Sequence, residues 1–219
     1  IEVADLDQDG VGEMVFGPTA GRWLDTGPGL WVVDYDPQSD QYAYKRHPYP
    51  EVENPRSGSL VNPDALISDK LTVGDYDNDG DADVLVKLSD DDAGGHVGTF
   101  IYRNDADSEL SIVDYEPADQ VLGGDGGEFV DINGDERLDI VYPGWPVNRS
   151  FDAIPELTFI NQGSDAFTRV DSIEANEKIT VSKPHPANPD DHLADFRFVE
   201  VNSEPLLFAV RYGEYRGEA

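Results

Sequence analysis

LTVGDYDNDGDADVLVKL, residues 71–88, is the stretch whose reading decides the fold. Two apolar runs, 71–74 and 84–88, flank a loop carrying Asp75, Asp77, Asp79 and Asp83, with Gly80 where the bend is expected to be sharpest. Carboxylates at every second position of a tight loop repel one another. At about 5 Å and an effective dielectric near 20, each pair costs roughly 3 kcal/mol. A folded chain keeps such a cluster when a hard, oxygen-seeking cation sits inside it, and Ca²⁺ takes its ligands in this kind of arrangement. For a single loop of this composition the alternative reading is a solvated acidic turn. Recurrence separates the two readings.

The pattern recurs twice. Residues 3–18, VADLDQDGVGEMVFGP, place Asp5, Asp7, Asp9, Gly10 and Glu13 in equivalent positions, and residues 129–144, FVDINGDERLDIVYPG, place Asp131, Asn133, Asp135 and Asp139 there. Side chains at loop positions 1, 3, 5 and 9 supply oxygens, and the backbone carbonyl at position 7 (Val11, Asp81, Arg137) can add another. Up to three Ca²⁺ sites are therefore expected. An EF-hand begins similarly but needs a bidentate Glu at position 12 and a following helix. Position 12 here is Phe16, Val86 or Tyr142, inside a β-like apolar run. These loops are not EF-hands.

The loops begin 70 and 56 residues apart, at Asp5, Asp75 and Asp131. A fourth, eroded copy, FVEVNSEPLLFAV at 198–210, keeps Glu200, Asn202 and Glu204 at ligand positions but has Phe208 where the closing acid belongs and Pro205 in the bend. It reads as a strand–turn–strand unit that has lost metal binding. Repeats fall at roughly 1–46, 71–115, 127–171 and 195–219, the last partial, with proline-bearing excursions at 47–69 and 172–193. Each full repeat offers four short runs rich in Val, Ile, Tyr and Phe, bounded by Gly, Asp, Asn and Pro. Those of the second are 71–76, 82–88, 97–103 and 110–115, and no segment has a helical period. Turns are expected at Asp36-Pro37, at Asn161-Gln162-Gly163 and at 105–108. The chain is predicted to be all-β.

Bulk numbers narrow the function. The 219 residues suffice for one large domain with a core, and no apolar run reaches membrane-span length. The net charge of −31 excludes nucleic acid or an anionic membrane as the main partner. Lys is scarce, five against ten Arg, and Asp outnumbers Glu about two to one. That surface suits a salty or Ca²⁺-rich exterior, a hypothesis that refolding with no salt dependence would remove. Cysteine is absent, so bound metal is expected to take over part of the stabilising role of disulfides. The chain starts at Ile1, inside the first strand and without Met, and is expected to be a trimmed piece of something longer.

Four-stranded repeats with an acidic nine-residue loop between the first two strands resemble the FG-GAP/VCBS repeats of integrin α-subunit-like β-propellers. The resemblance rests on DLDQDGVGEMVFGP, DYDNDGDADVLV and DINGDERLDIVYPG, with TFINQGSDAFTRV at 158–170 similar to the third and fourth strands of such a blade. It implies four-stranded antiparallel blades in a radial array, one Ca²⁺ per loop, in a ring of about seven. This chain would supply an incomplete part of that ring, completed by further blades of the same or another chain. A four-bladed ring would need its last blade finished. The resemblance further implies an extracellular or cell-surface adhesion-type module whose loops bind a protein or glycan. Some propellers with these repeats are polysaccharide lyases or sugar dehydratases, so a carbohydrate-active enzyme is the second reading. The third loop departs from the pattern, with Glu136 where the others carry glycine and Asn133 lowering its charge. The expected order of Ca²⁺ affinity is second loop, first, third.

Other features point less sharply. Trp23 and Trp145, in loops, are candidates for stacking on sugar rings, whereas Trp31 within a strand is expected to pack between blades. Asn148 begins a glycosylation sequon. His47, His96, His185 and His192 are scattered and read as solvated loop histidines, and Asp90-Asp91-Asp92 as a solvated turn. The glycine-rich run at 123–127 lacks a lysine and a following helix, which argues against a phosphate loop. No catalytic set can be assembled from these residues.

Overall fold

The structure, a computed structural model, describes residues 1–17, 27–54, 57–92, 96–105, 109–113, 127–142, 157–170, 192–201 and 204–212. Trp23, Trp145, Asn148 and His185 lie outside the described residues. The chain is all-β, and among the described residues there are three antiparallel four-stranded sheets, two two-stranded ones and no sheet closed on itself.

The first sheet runs β1 (Glu2–Ala4), β2 (Glu13–Phe16), β3 (Leu30–Asp36) and β4 (Gln41–His47), in that spatial order. The Asp36 carboxylate closes the β3–β4 turn by accepting from Gln38 N at 2.8 Å and Ser39 Oγ at 2.6 Å. Alternation sends Val15, Leu30 and Val32 into the core and leaves Met14, Tyr42 and Tyr44 exposed. His47 is a correction: it ends β4 opposite Leu30 and is buried, and that burial lowers its pKa.

The excursion that follows has structure of its own. A hairpin of β5 (Glu53–Asn54) and β6 (Ser59–Leu60) precedes a 3-10 turn, Pro63–Ala65, whose N-terminus is capped by the Asn62 side chain accepting from Asp64 N at 3.2 Å. Tyr49, Val52 and Val61 from this segment join the core between the first two sheets.

The second sheet contains β7 (Leu66–Gly74), β8 (Asp83–Asp90), β9 (His96–Asn104) and β10 (Leu110–Val113), each pairing with the next. Its first strand starts at Leu66, where the sequence pattern alone begins it at 71. The register shifts between Ser68 and Lys70, so Asp69 breaks the two-residue alternation that would have extended the strand backwards. Asp90 is also a correction. It closes β8, is buried, and accepts from Asn54 Nδ2 at 3.1 Å.

The third sheet contains β11 (Glu128–Val130), β12 (Asp139–Tyr142), β13 (Leu157–Gly163) and β14 (Ala166–Val170) in the same order. Its last hairpin turns at Ser164 and Asp165, with φ of 54° and 60°, three residues beyond the expected start of the turn at Asn161. Two consecutive left-handed residues give a twist that matches the flanking strands. The chain then forms β15 (His192–Val201) paired with β16 (Glu204–Tyr212).

The three four-stranded sheets stack face to face in chain order. On β8, Val84, Val86 and Leu88 face the first sheet, packing with Leu6, Val15, Leu30 and Val32, while Leu85 faces the third sheet's Phe129, Ile140 and Phe159. With both faces covered, β8 reads as a nearly unbroken apolar run. The first strands of the sheets are neighbours in turn: β7 lies beside β1 and β11, and β11 beside β15. A buried ion pair, Lys70 Nζ to Glu128 Oε1 at 2.8 Å, joins β7 to β11. No helix among the described residues is long and apolar enough to cross a membrane.

Candidate metal centres

Each acidic loop links the first two strands of its sheet, and all three share one backbone course. Position 4 is left-handed in each, with φ of 60° at Gln8, 61° at Asn78 and 79° at Gly134. Position 6 is left-handed too, at 89° for Gly10, 99° for Gly80 and 67° for Glu136. The third loop thus adopts the same bend with its glycine moved to position 4, and Glu136 takes a conformation that costs an L-residue about 1–2 kcal/mol.

Position 2 anchors the loop: Leu6, Tyr76 and Ile132 are buried. The amide of each donates to the position-9 acid, from Leu6 N to Glu13 at 2.5 Å, Tyr76 N to Asp83 at 3.0 Å and Ile132 N to Asp139 at 3.1 Å. All three acids are fully buried. The second oxygen of Asp83 accepts from Asn104 N at 2.9 Å, and that of Asp139 from Asn161 N at 2.8 Å. Glu13 is one methylene longer, and its Oε1 is buried without a hydrogen-bond partner. A wholly buried carboxylate oxygen with nothing to bind is costly unless a cation meets it.

Position 1 folds the loop round itself. Asp75 accepts from Asp79 N at 3.1 Å and Gly80 N at 3.0 Å; Asp5 accepts from Gly10 N at 3.0 Å, and Asp131 from Glu136 N at 2.8 Å. Position 5 receives the position-7 amide, Val11 N to Asp9 at 2.7 Å, Asp81 N to Asp79 at 2.9 Å and Arg137 N to Asp135 at 3.1 Å.

The loops differ in what they converge on. Asp5, Asp7, Asp9 and Glu13 bring one carboxylate oxygen each to within 4.8 Å of one another, and so do Asp75, Asp77 and Asp83. Asp79 stands apart from the second group, and Asp77 Oδ1 is buried and without a hydrogen-bond partner. These two groups can hold a metal ion. The third loop gathers no such group: Arg137 Nη2 lies 2.5 Å from Asp135 Oδ2, and its Nε donates to Asn161 O at 3.1 Å. A guanidinium stands in the third loop beside a carboxylate for which the sequence pattern provides a cation.

Burial raises the pKa of Glu13 and Asp77, the latter helped by the charge of Asp79. It pushes Asp83 up to about 7 and Asp139 up to about 6, against the lowering effect of the amides each accepts. Burial thus works against the charged form of these acids, and a cation held by them would favour it.

Two sets of inter-loop ties were not legible in the sequence. Gln8 Nε2 donates to Gly80 O at 3.1 Å and also meets Asp81, while Asn78 Nδ2 donates to Glu136 O at 3.1 Å. A position-4 side chain thus grips the position-6 carbonyl of the next loop, twice over. Asn104 Nδ2 donates to Leu6 O at 2.6 Å and Asn161 Nδ2 to Tyr76 O at 2.7 Å, tying each third strand back to the preceding loop. The only trace of this in the sequence is an asparagine near the end of both third strands.

In the fourth repeat the ladder runs on to Val201↔Glu204, leaving only residues 202 and 203 between the strands. In the third sheet pairing stops at Val130↔Asp139, with eight residues between them. The nine-residue loop is therefore absent where its closing acid is Phe208. No family model matches this chain, and no curated protein and no solved structure matches it.

Proposed function

We propose that the chain is a Ca²⁺-stabilised segment of a β-propeller of the FG-GAP/VCBS kind, working at the cell surface or outside the cell as a structural and binding module. The observation that carries the metal reading is the first loop. Four acids converge there, and one of them buries an oxygen that nothing among the described residues satisfies. Several hard carboxylate oxygens on one loop suit Ca²⁺, with its adaptable coordination, better than Mg²⁺, which demands a tighter octahedron. The ion cancels carboxylate repulsion and locks the connection between the first two strands of each sheet. The propeller reading draws support from serial face-to-face stacking, neighbouring first strands and ties repeated from one loop to the next.

The binding role rests on the resemblance and on the acidic surface, and its occupants are a protein or a glycan held by the loops. Glycan-array and surface-display pull-down measurements address that part, and the absence of any Ca²⁺-dependent ligand would remove it. For the scaffold, the test is thermal unfolding in Ca²⁺ and in EDTA. Extracellular Ca²⁺ modules bind at about 0.1–1 mM. A site filled at about a hundred times its Kd adds about 2.7 kcal/mol. Two such sites are comparable to much of a domain's net stability. An identical melting curve in EDTA overturns the metal reading.

A further inference from the structure

The two acid groups that can hold an ion are physically joined. Gln8 lies between Asp7 and Asp9 of the first group, in a left-handed conformation with φ of 60°, and its side chain reaches out of its own loop. The two hydrogens of its Nε2 find two acceptors in the second loop, Gly80 O at 3.1 Å and the Asp81 carboxylate. Gly80 is the bend of that loop, with φ of 99°. Asp81 is the position whose backbone carbonyl the repeat pattern assigns to the ion, and its amide is held by Asp79 Oδ1 at 2.9 Å.

Asn78 repeats the reach one loop further on. It lies between Asp77 and Asp79, with φ of 61°, and grips Glu136 O. In the third loop position 4 is Gly134, which has no side chain to extend, and the fourth repeat has no acidic loop to receive one. The link is present where another loop follows and missing where none does.

We infer that the two metal loops are coupled through Gln8, so that Ca²⁺ in the first raises the affinity of the second and, by reciprocity, the second that of the first. The inference rests on the metal reading above and concerns how the two sites fill. An ion in the first loop draws Asp7 and Asp9 to one point and fixes the backbone that carries Gln8. Gln8 then holds Gly80 and Asp81 in course, so part of the ordering cost of the second site is already met. Repulsion between the two ions opposes this. The Debye length shrinks from about 8 Å at physiological ionic strength to about 3 Å at 1 M, so the repulsion fades with salt. Hydrogen bonds depend on salt far less. Because these are exposed, the coupling belongs at the low end of the usual range, about fivefold.

The test is calorimetric titration of the chelator-stripped whole chain with CaCl₂, at about 0.15 M and about 1 M KCl. It is run beside Asp77→Ala, which leaves the first site, and Asp7→Ala, which leaves the second. The product of the two single-site association constants is what independent loops give. The wild type is expected to exceed that product about fivefold, and by more at the higher salt. Gln8→Ala, placed in all three backgrounds, is expected to bring the ratio down to one or below while two ions still bind. Gln8 is exposed, and alanine bears the same left-handed backbone, so this variant removes the link and leaves the fold, which circular dichroism checks. A single ion per chain, a wild-type ratio of one or less at both salts, or a ratio indifferent to Gln8→Ala overturns the coupling and leaves the metal reading standing. No Ca²⁺ bound by a folded chain defeats the metal reading, and the coupling falls with it.

Discussion

The second and third acidic loops have nearly the same backbone and opposite solutions to the same electrostatic problem. Both bend through left-handed residues at positions 4 and 6, and both end on a buried aspartate held by two amides. In the second, Asp75, Asp77 and Asp83 bring one carboxylate oxygen each to within 4.8 Å of one another. In the third, Asn133 removes one charge and Arg137 is hydrogen-bonded to Asp135. Loop shape is therefore set by the amide-to-carboxylate network, and cation dependence by which charges are left over. The fourth repeat shows what happens without the closing acid: the strands zip together almost to their tips.

That contrast can be broken from either side. The largest effect is expected from Asp77→Ala, which removes a ligand from the second loop together with one acceptor of the Asp79 amide, an amide that Asp75 also accepts. In Ca²⁺ it should lose about 2.7 kcal/mol of stability, and in EDTA clearly less. Chemical denaturation in both conditions checks this, and an equal loss in EDTA would assign Asp77 a purely structural role.

Next in size is the pH response of the metal-free protein. Folding raises the pKa of Asp83 to about 7 and that of Asp139 to about 6, from an ordinary 3.8. Between those limits the folded state binds more protons than the unfolded one, so stability from these groups is greatest below the ordinary value. It falls as pH rises through the raised values. In EDTA the protein should melt at a lower temperature near pH 7.5 than near pH 5, as linkage requires when folding takes up protons. Ca²⁺ should flatten the fall, because it holds Asp83 ionised. A melting temperature in EDTA that climbs over this range contradicts the account.

Arg137→Gln sharpens the comparison from the other side. It should cost about 1 kcal/mol or less in EDTA, as expected of a half-exposed ion pair. It should also bring the third loop closer to the second, with a further Ca²⁺-dependent rise in melting temperature. The smallest effect belongs to Glu136→Gly, which relieves a left-handed glutamate and should stabilise by up to about 1 kcal/mol, with or without Ca²⁺. A stabilisation present only in Ca²⁺ would tie Glu136 to the ion.

The loops could be read from the sequence because their chemistry is local. Acids at alternate positions, a glycine at the bend and apolar runs on both sides are decided within one short window. Most strand cores were legible for the same reason, since Val84-Leu85-Val86 can be little else between two turns. Features that depend on distant partners were not. Asp69 sits in a bulge that hides the start of β7, and His47 is buried because of what packs on β4. Gln8, Asn78, Asn104 and Asn161 act only across neighbouring repeats, so no single window reveals them. Arg137 was legible as a backbone position and not as a charge, because its guanidinium turns back on its own loop.

The most direct measurement is a calorimetric titration of the chelator-stripped chain with Ca²⁺, read for stoichiometry. The account predicts two ions per chain, one in the loop closed by Glu13 and one in the loop closed by Asp83, and one fewer in Asp77→Ala. No binding at all, in a chain shown to be folded, would contradict it.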